Sequence, residues 1–137
     1  MSAPNEDARW AVVAARAADD KAAMDVVVLE VGPVMALCDH FVIASAANSR
    51  QVRTIAEAVE TAIADDGGPR PLRVEGLDDL RWVLLDYGDL VVHVFGDETR
   101  RYYDLERLWS DVARVRWARP DRPDDAADAS LASGGAG

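Results

Sequence analysis

Residues 82–95 read WVLLDYGDLVVHVF, and this stretch decides the fold. Two short apolar runs, Trp82–Tyr87 and Leu90–Phe95, flank Tyr87-Gly88-Asp89. Runs this short on either side of a glycine predict two antiparallel strands, with Gly88 supplying the turn geometry. Strand alternation puts Trp82, Leu84 and Asp86 on one face and Val83, Leu85 and Tyr87 on the other. On the second strand Val91, His93 and Phe95 share a face, opposite Leu90, Val92 and Val94.

Working outward, Leu72–Glu75 predicts one more short strand, and Asp65-Asp66-Gly67-Gly68-Pro69 ends whatever precedes it. Val52, Ile55, Ala56, Val59 and Ile63 recur at helical spacing, with Asn48 or Ser49 able to cap that helix. The β-branched runs Asp25–Val31 and Asp39–Ser45 predict two strands, the first covered on both faces. Asp7–Ala22 predicts an alanine-rich helix through Trp10, Val13, Ala14 and Ala17. Leu105, Leu108, Trp109 and Val112 share one face of a last helix, with Asp104 as its cap. The order α-β-β-α-β-β-β-α places the chain in the α/β class, a mixed sheet packed with helices. Residues 1–117 form the domain. Residues 118–137, rich in Pro, Asp, Ala, Ser and Gly, read as a disordered acidic tail.

Composition limits the function. The 137 residues are 50% hydrophobic, enough for one domain with a true core. The formal net charge is -10, and residues 54–98 alone carry eleven acidic and three basic side chains. Such a surface repels free nucleic acid and suits a basic protein partner. A single cysteine, Cys38, forms no intrachain disulfide and fits a reducing compartment. No apolar run reaches membrane-spanning length and the first ten residues lack the order of a signal peptide, so a cytoplasmic location is expected.

The chemistry-bearing residues are few. Cys38 with His40 or His93 is the one nucleophilic pairing to weigh, and a small buried hydrophobe is the plainer reading of that thiol. Ser45 and Ser49 lack the Gly-x-Ser-x-Gly setting. No spacing of His, Cys or carboxylates predicts a metal site, and no glycine-rich loop predicts a nucleotide cofactor. Asp86 and Asp89 raise nucleotidyl transfer as an alternative. Their D-Y-G-D spacing across a turn is not the D-x-D that aims two carboxylates the same way. What remains is a cluster of aromatic and charged residues in the C-terminal half. Trp82, Phe95 and Trp109 read singly as core, whereas Asp86, Asp89 and Arg100 favour a protein-binding surface.

Four blocks in order, DVVVLEV at 25–31, CDHFVIAS with RQV at 38–52, WVLLDYGDLVVHVF at 82–95 and RRYYDLERLW at 100–109, resemble the ribosomal silencing factor (Iojap-like) family. The resemblance implies a nucleotidyltransferase-like α/β fold without the catalytic motif, hence no enzyme and no cofactor. It implies binding to the fourteenth protein of the large ribosomal subunit, steric exclusion of the small subunit and repression of translation when nutrients are scarce. It also implies a homodimer when free. Carried over by position, Trp82, Leu84, Asp86, Tyr87, Asp89 and His93 look like the partner surface, with Arg100, Tyr102 and Tyr103 beside it. Two positions depart from the family pattern: His40 replaces the usual tyrosine and Ala46 the usual glycine. The latter puts in doubt any φ > 0 conformation there.

Overall fold

The structure, a computed structural model, describes residues 8–34, 38–103, 107 and 110–119. Its elements are α1 (Arg9–Asp20), β1 (Met24–Glu30), β2 (His40–Ala46), α2 (Ser49–Asp65), β3 (Arg73–Glu75), β4 (Trp82–Asp86), β5 (Leu90–Gly96) and α3 (Asp97–Tyr103). Five strands form one sheet in the order β1-β2-β5-β4-β3. All neighbours are antiparallel except β2 and β5, which run parallel. Parallel neighbours need a long crossover, and the segment containing α2, β3 and β4 supplies it.

Helices α1 and α2 cover one sheet face. Their buried stripes, Ala11, Ala14, Ala15 and Ala18 from α1 and Val52, Ile55, Val59 and Ile63 from α2, meet Val28, Val42, Val83, Leu85, Val92 and Val94. The α1 stripe is built of small alanines and the α2 stripe of branched side chains, and both are packed into the one core. Asn48 caps α2 from an extended conformation, its side-chain oxygen accepting the Gln51 N–H at 2.9 Å. Gln51 answers by accepting the Ala47 N–H at 2.7 Å and donating to the carbonyls of Lys21 and Ala22. One side chain thus fixes the start of α2 and the turn after α1, where Ala22 sits at φ 64°.

The edge formed by β1 is covered. Ala113 accepts the Glu30 N–H at 2.8 Å, the Val115 N–H donates to Val28 at 2.8 Å, and Leu29 bridges Arg114 antiparallel. Trp117 closes this strap: it is fully buried and its indole N–H donates to the Val26 carbonyl at 3.2 Å. Arg16 of α1 holds the Trp117 carbonyl at 2.7 Å, and Arg119 forms a two-pronged pair with Asp20. Residues 120–137 lie outside the described residues.

Three differences from expectation stand out. The strap is a segment that no periodicity announces. Helix α3 begins at Asp97, directly after β5, where no helix is expected from the sequence. Of the last predicted helix, Asp104, Leu105, Leu108 and Trp109 lie outside the described residues, whereas Val112 is described and sits in a bend, packed on the second apolar cluster, rather than in a helix. Ala46 ends β2 fully buried and is not among the described non-glycine residues with positive φ, so the missing glycine costs nothing there.

Candidate functional site

The sheet face turned away from α1 and α2 carries the aromatic cluster. Register fixes its rows: Trp82 lies opposite Phe95, Leu84 opposite His93 and Asp86 opposite Val91. Across the parallel seam Val91, His93 and Phe95 stand beside Phe41, Ile43 and Ser45. Leu29, Val31, Cys38 and Val112 extend this second apolar cluster toward the strap. At the other end Trp82 remains 38% exposed, and Leu84, Asp86 and Val91 are half-buried.

His93 is the centre of the cluster. Phe41 meets it edge-on at 4.7 Å between ring centroids, and Phe95 stacks beside it at 6.1 Å. Trp82 packs on Phe95 at 4.7 Å and donates its indole N–H to His93 Nδ1 at 3.1 Å. Burial pushes the imidazole down to about 4, so the ring is neutral at ordinary pH. A neutral ring that accepts at Nδ1 carries its proton on Nε2, and that atom is buried with no hydrogen-bond partner.

The hairpin turn accounts for the acids. One Asp86 oxygen accepts the Gly88 N–H at 2.8 Å, while Gly88 holds φ 92°. The other takes Arg73 of β3 at 3.2 Å. Asp89 is exposed, but its carbonyl accepts the N–H groups of Asp39 and His40 and a contact from the Cys38 sulfur. Burial raises the pKa of Cys38, whose thiol also donates to the His40 carbonyl at 3.1 Å. A thiol tied to carbonyls with a raised pKa is a poor nucleophile. No group of three metal-ligating side chains occurs among the described residues.

The predicted site residues therefore separate. Trp82, Leu84, Asp86 and His93 share one face, and Asp89 sits at its turn end. Tyr87 turns to the helix side, packing on the main core with its hydroxyl buried and without a hydrogen-bond partner. Burial raises that phenol to about 12, with Glu60 adding to the effect. Arg100 is 4% exposed and works inside the fold. Its Nη1 donates to the Asp25 carbonyl at 2.7 Å and to Ser45 Oγ at 2.8 Å. The first contact holds the irregularity in β1, where Asp25 adopts φ 51°. Tyr102 is 81% exposed and, with Trp82, Arg81 and Ser49, lines a cleft of about 650 Å3 beside the aromatic face. The Tyr103 side chain lies outside the described residues. Phe41, Ile43 and Arg73 belong to the same face and were missed: alternation in β2 pairs the first two, but nothing local reveals which strand lies next to β5.

A family model described as "Ribosomal silencing factor during starvation" matches residues 4–134. The chain is 42% identical over 100 residues to the ribosomal silencing factor RsfS of Bacillus subtilis, covering 73% of this chain and 84% of that protein. It is 32% identical over 91 residues to the mouse protein named for mitochondrial assembly of the ribosomal large subunit, covering 64% of this chain and 40% of that one. A crystal structure from Chromobacterium violaceum superposes with a TM-score of 0.69 at 31% identity, over 82% of this chain and 95% of that one.

Proposed function

The chain belongs to the ribosomal silencing factor family, and from that membership we propose that it binds the large ribosomal subunit through the open hairpin face. The handle is the subunit's fourteenth protein. A factor seated there blocks joining of the small subunit by occupancy and represses translation when nutrients are scarce. The protein acts in the cytoplasm and is a homodimer when free.

The observation that carries the reading is the exposure of Trp82 over a rigid aromatic floor. A large ring, held by one hydrogen bond and packed on Phe95, is preorganised for burial by a partner. Exposed carboxylates lie at the borders of this face, with Glu75 on β3 opposite Leu84 and Asp39 and Asp89 at the turn end of the hairpin, and residues 54–98 carry a charge of -8. Such a rim complements a basic ribosomal protein and repels bare RNA. Nothing in this mechanism needs a reaction. Nucleotidyl transfer by Asp86 and Asp89 has no geometric support, because both Asp86 oxygens serve the turn and Arg73.

Sucrose-gradient profiles of purified subunits test the reading. Added protein should co-migrate with the large subunit and reduce the joined peak. An unchanged joined peak with the large subunit saturated would overturn it.

A further inference from the structure

The cleft of about 650 Å3 opens directly off the aromatic face, because Trp82 belongs to both and Tyr102 stands on the cleft's α3 side. Both rings are exposed. The charged side chains lining the cleft are Arg81, Asp97 and Glu98. Asp97 is taken by Arg101 at 3.1 Å, whereas Glu98 is exposed and forms no ion pair among the described residues.

The wall that carries Trp82 is set by a tight turn. Gly76 holds φ 93°, and a Cβ there would meet the Trp82 carbonyl. The Leu80 N–H donates back to the Gly76 carbonyl at 2.9 Å, and the Gly96 N–H ties the Arg81 carbonyl to β5 at 2.8 Å. The cleft is therefore formed before anything enters it, which lowers the cost of binding.

We propose that this cleft receives an arginine side chain of the ribosomal protein, with the guanidinium lying against the Trp82 and Tyr102 rings and paired with the Glu98 carboxylate. The proposal rests on the large-subunit binding put forward above and gives that surface a specificity pocket. Aromatic faces attract a cation, and the planar guanidinium also stacks on them. A carboxylate in the same cleft adds a charge-assisted, two-pronged hydrogen bond. Lysine offers neither the plane nor the fork. Arg81 opposes an entering cation, so removing its charge has an effect of predictable sign.

Pelleting of the full chain with purified large subunits tests the pocket. Wild type should bind, Glu98→Gln should bind about fivefold more weakly, and Tyr102→Ala about tenfold more weakly. Tyr102→Phe keeps the ring and should bind as wild type does. Arg81→Gln should tighten binding by about twofold. Glu98 and Tyr102 are exposed, so the far-UV spectra should match that of wild type. Wild-type affinity in both Glu98→Gln and Tyr102→Ala overturns the pocket and leaves large-subunit binding standing. Weaker binding by Arg81→Gln, the mark of an anionic occupant, also overturns it. So does an equal loss in Tyr102→Phe and Tyr102→Ala, which assigns the contact to the hydroxyl. A wild type that stays in the supernatant overturns both the pocket and the reading it rests on.

Discussion

The indole N–H of Trp82 donates to Nδ1 of His93 at 3.1 Å, which sets the tautomer of a ring that is 9% exposed. The neutral ring is the form that fits, because Trp82 needs an acceptor and the surrounding Phe41 and Phe95 offer a charge no solvation.

That arrangement makes stability fall with acid in a defined window. The unfolded chain takes up a proton on His93 near 6.5, whereas the folded chain resists until about 4. The contribution is complete above 6.5, is lost as pH falls toward 4, and is flat below that. The span corresponds to about 3 kcal/mol. Denaturant melts between pH 7.5 and 3.5 should show the slope, and His93→Phe should remove most of it. An unchanged slope in that variant would assign the acid sensitivity to other groups.

Trp82 tests the partner surface. Trp82→Ala should weaken large-subunit binding by about 2 kcal/mol, the scale of an interfacial aromatic anchor, with the far-UV spectrum kept. Trp82→Phe retains a ring on Phe95 but removes the donor to His93. It should cost about 1 kcal/mol of folding stability and recover part of the affinity. Pelleting assays with large subunits measure the first effect and chemical melts the second. Normal binding by Trp82→Ala would place the interface elsewhere.

The strands and the faces of the hairpin were legible because alternation is a local property: Val83 and Leu85 fall inside, Trp82 and Leu84 on the open side. The neighbour of β5 was not legible. Pairing His93 with Ile43 requires strands fifty residues apart to run parallel, which no window of sequence records. Arg100 misled for a related reason. A charge beside Arg101, Tyr102 and Tyr103 reads as surface, yet it is drawn inside by the Asp25 carbonyl and Ser45, groups far away in sequence. Tyr87 followed the alternation rule to the helix side, and only its place in an aromatic motif had associated it with the partner surface.

Tyr87 yields a prediction about the core. Its hydroxyl is buried without a hydrogen-bond partner, so the fold bears the desolvation of that group with no bond in return. Tyr87→Phe should leave the fold intact and raise stability by up to about 1 kcal/mol. Tyr87→Ala should instead lose about 3 kcal/mol through the space it opens against the core. Thermal melts of the pair separate packing from hydrogen bonding. Destabilisation by Tyr87→Phe would mean that the hydroxyl has a partner in solution, such as a bound water.

Among the attachments of the strap, the buried indole of Trp117 should be the one that dominates its stability. Trp117 is 1% exposed, and its indole N–H satisfies the Val26 carbonyl. Trp117→Ala removes that bond and leaves a cavity the size of an indole, a loss of about 4 kcal/mol. Arg119 also ties the strap to α1 through Asp20, but that pair is partly solvated, with side chains 30% and 50% exposed. Solvent screening limits Arg119→Ala to about 0.5 kcal/mol. Hydrogen exchange at the Glu30 amide, which donates to Ala113 in the strap, reports the consequence directly. It should accelerate strongly in Trp117→Ala and stay near wild type in Arg119→Ala. Equal protection in both variants would show that the strap is held by its backbone ladder rather than by the buried indole.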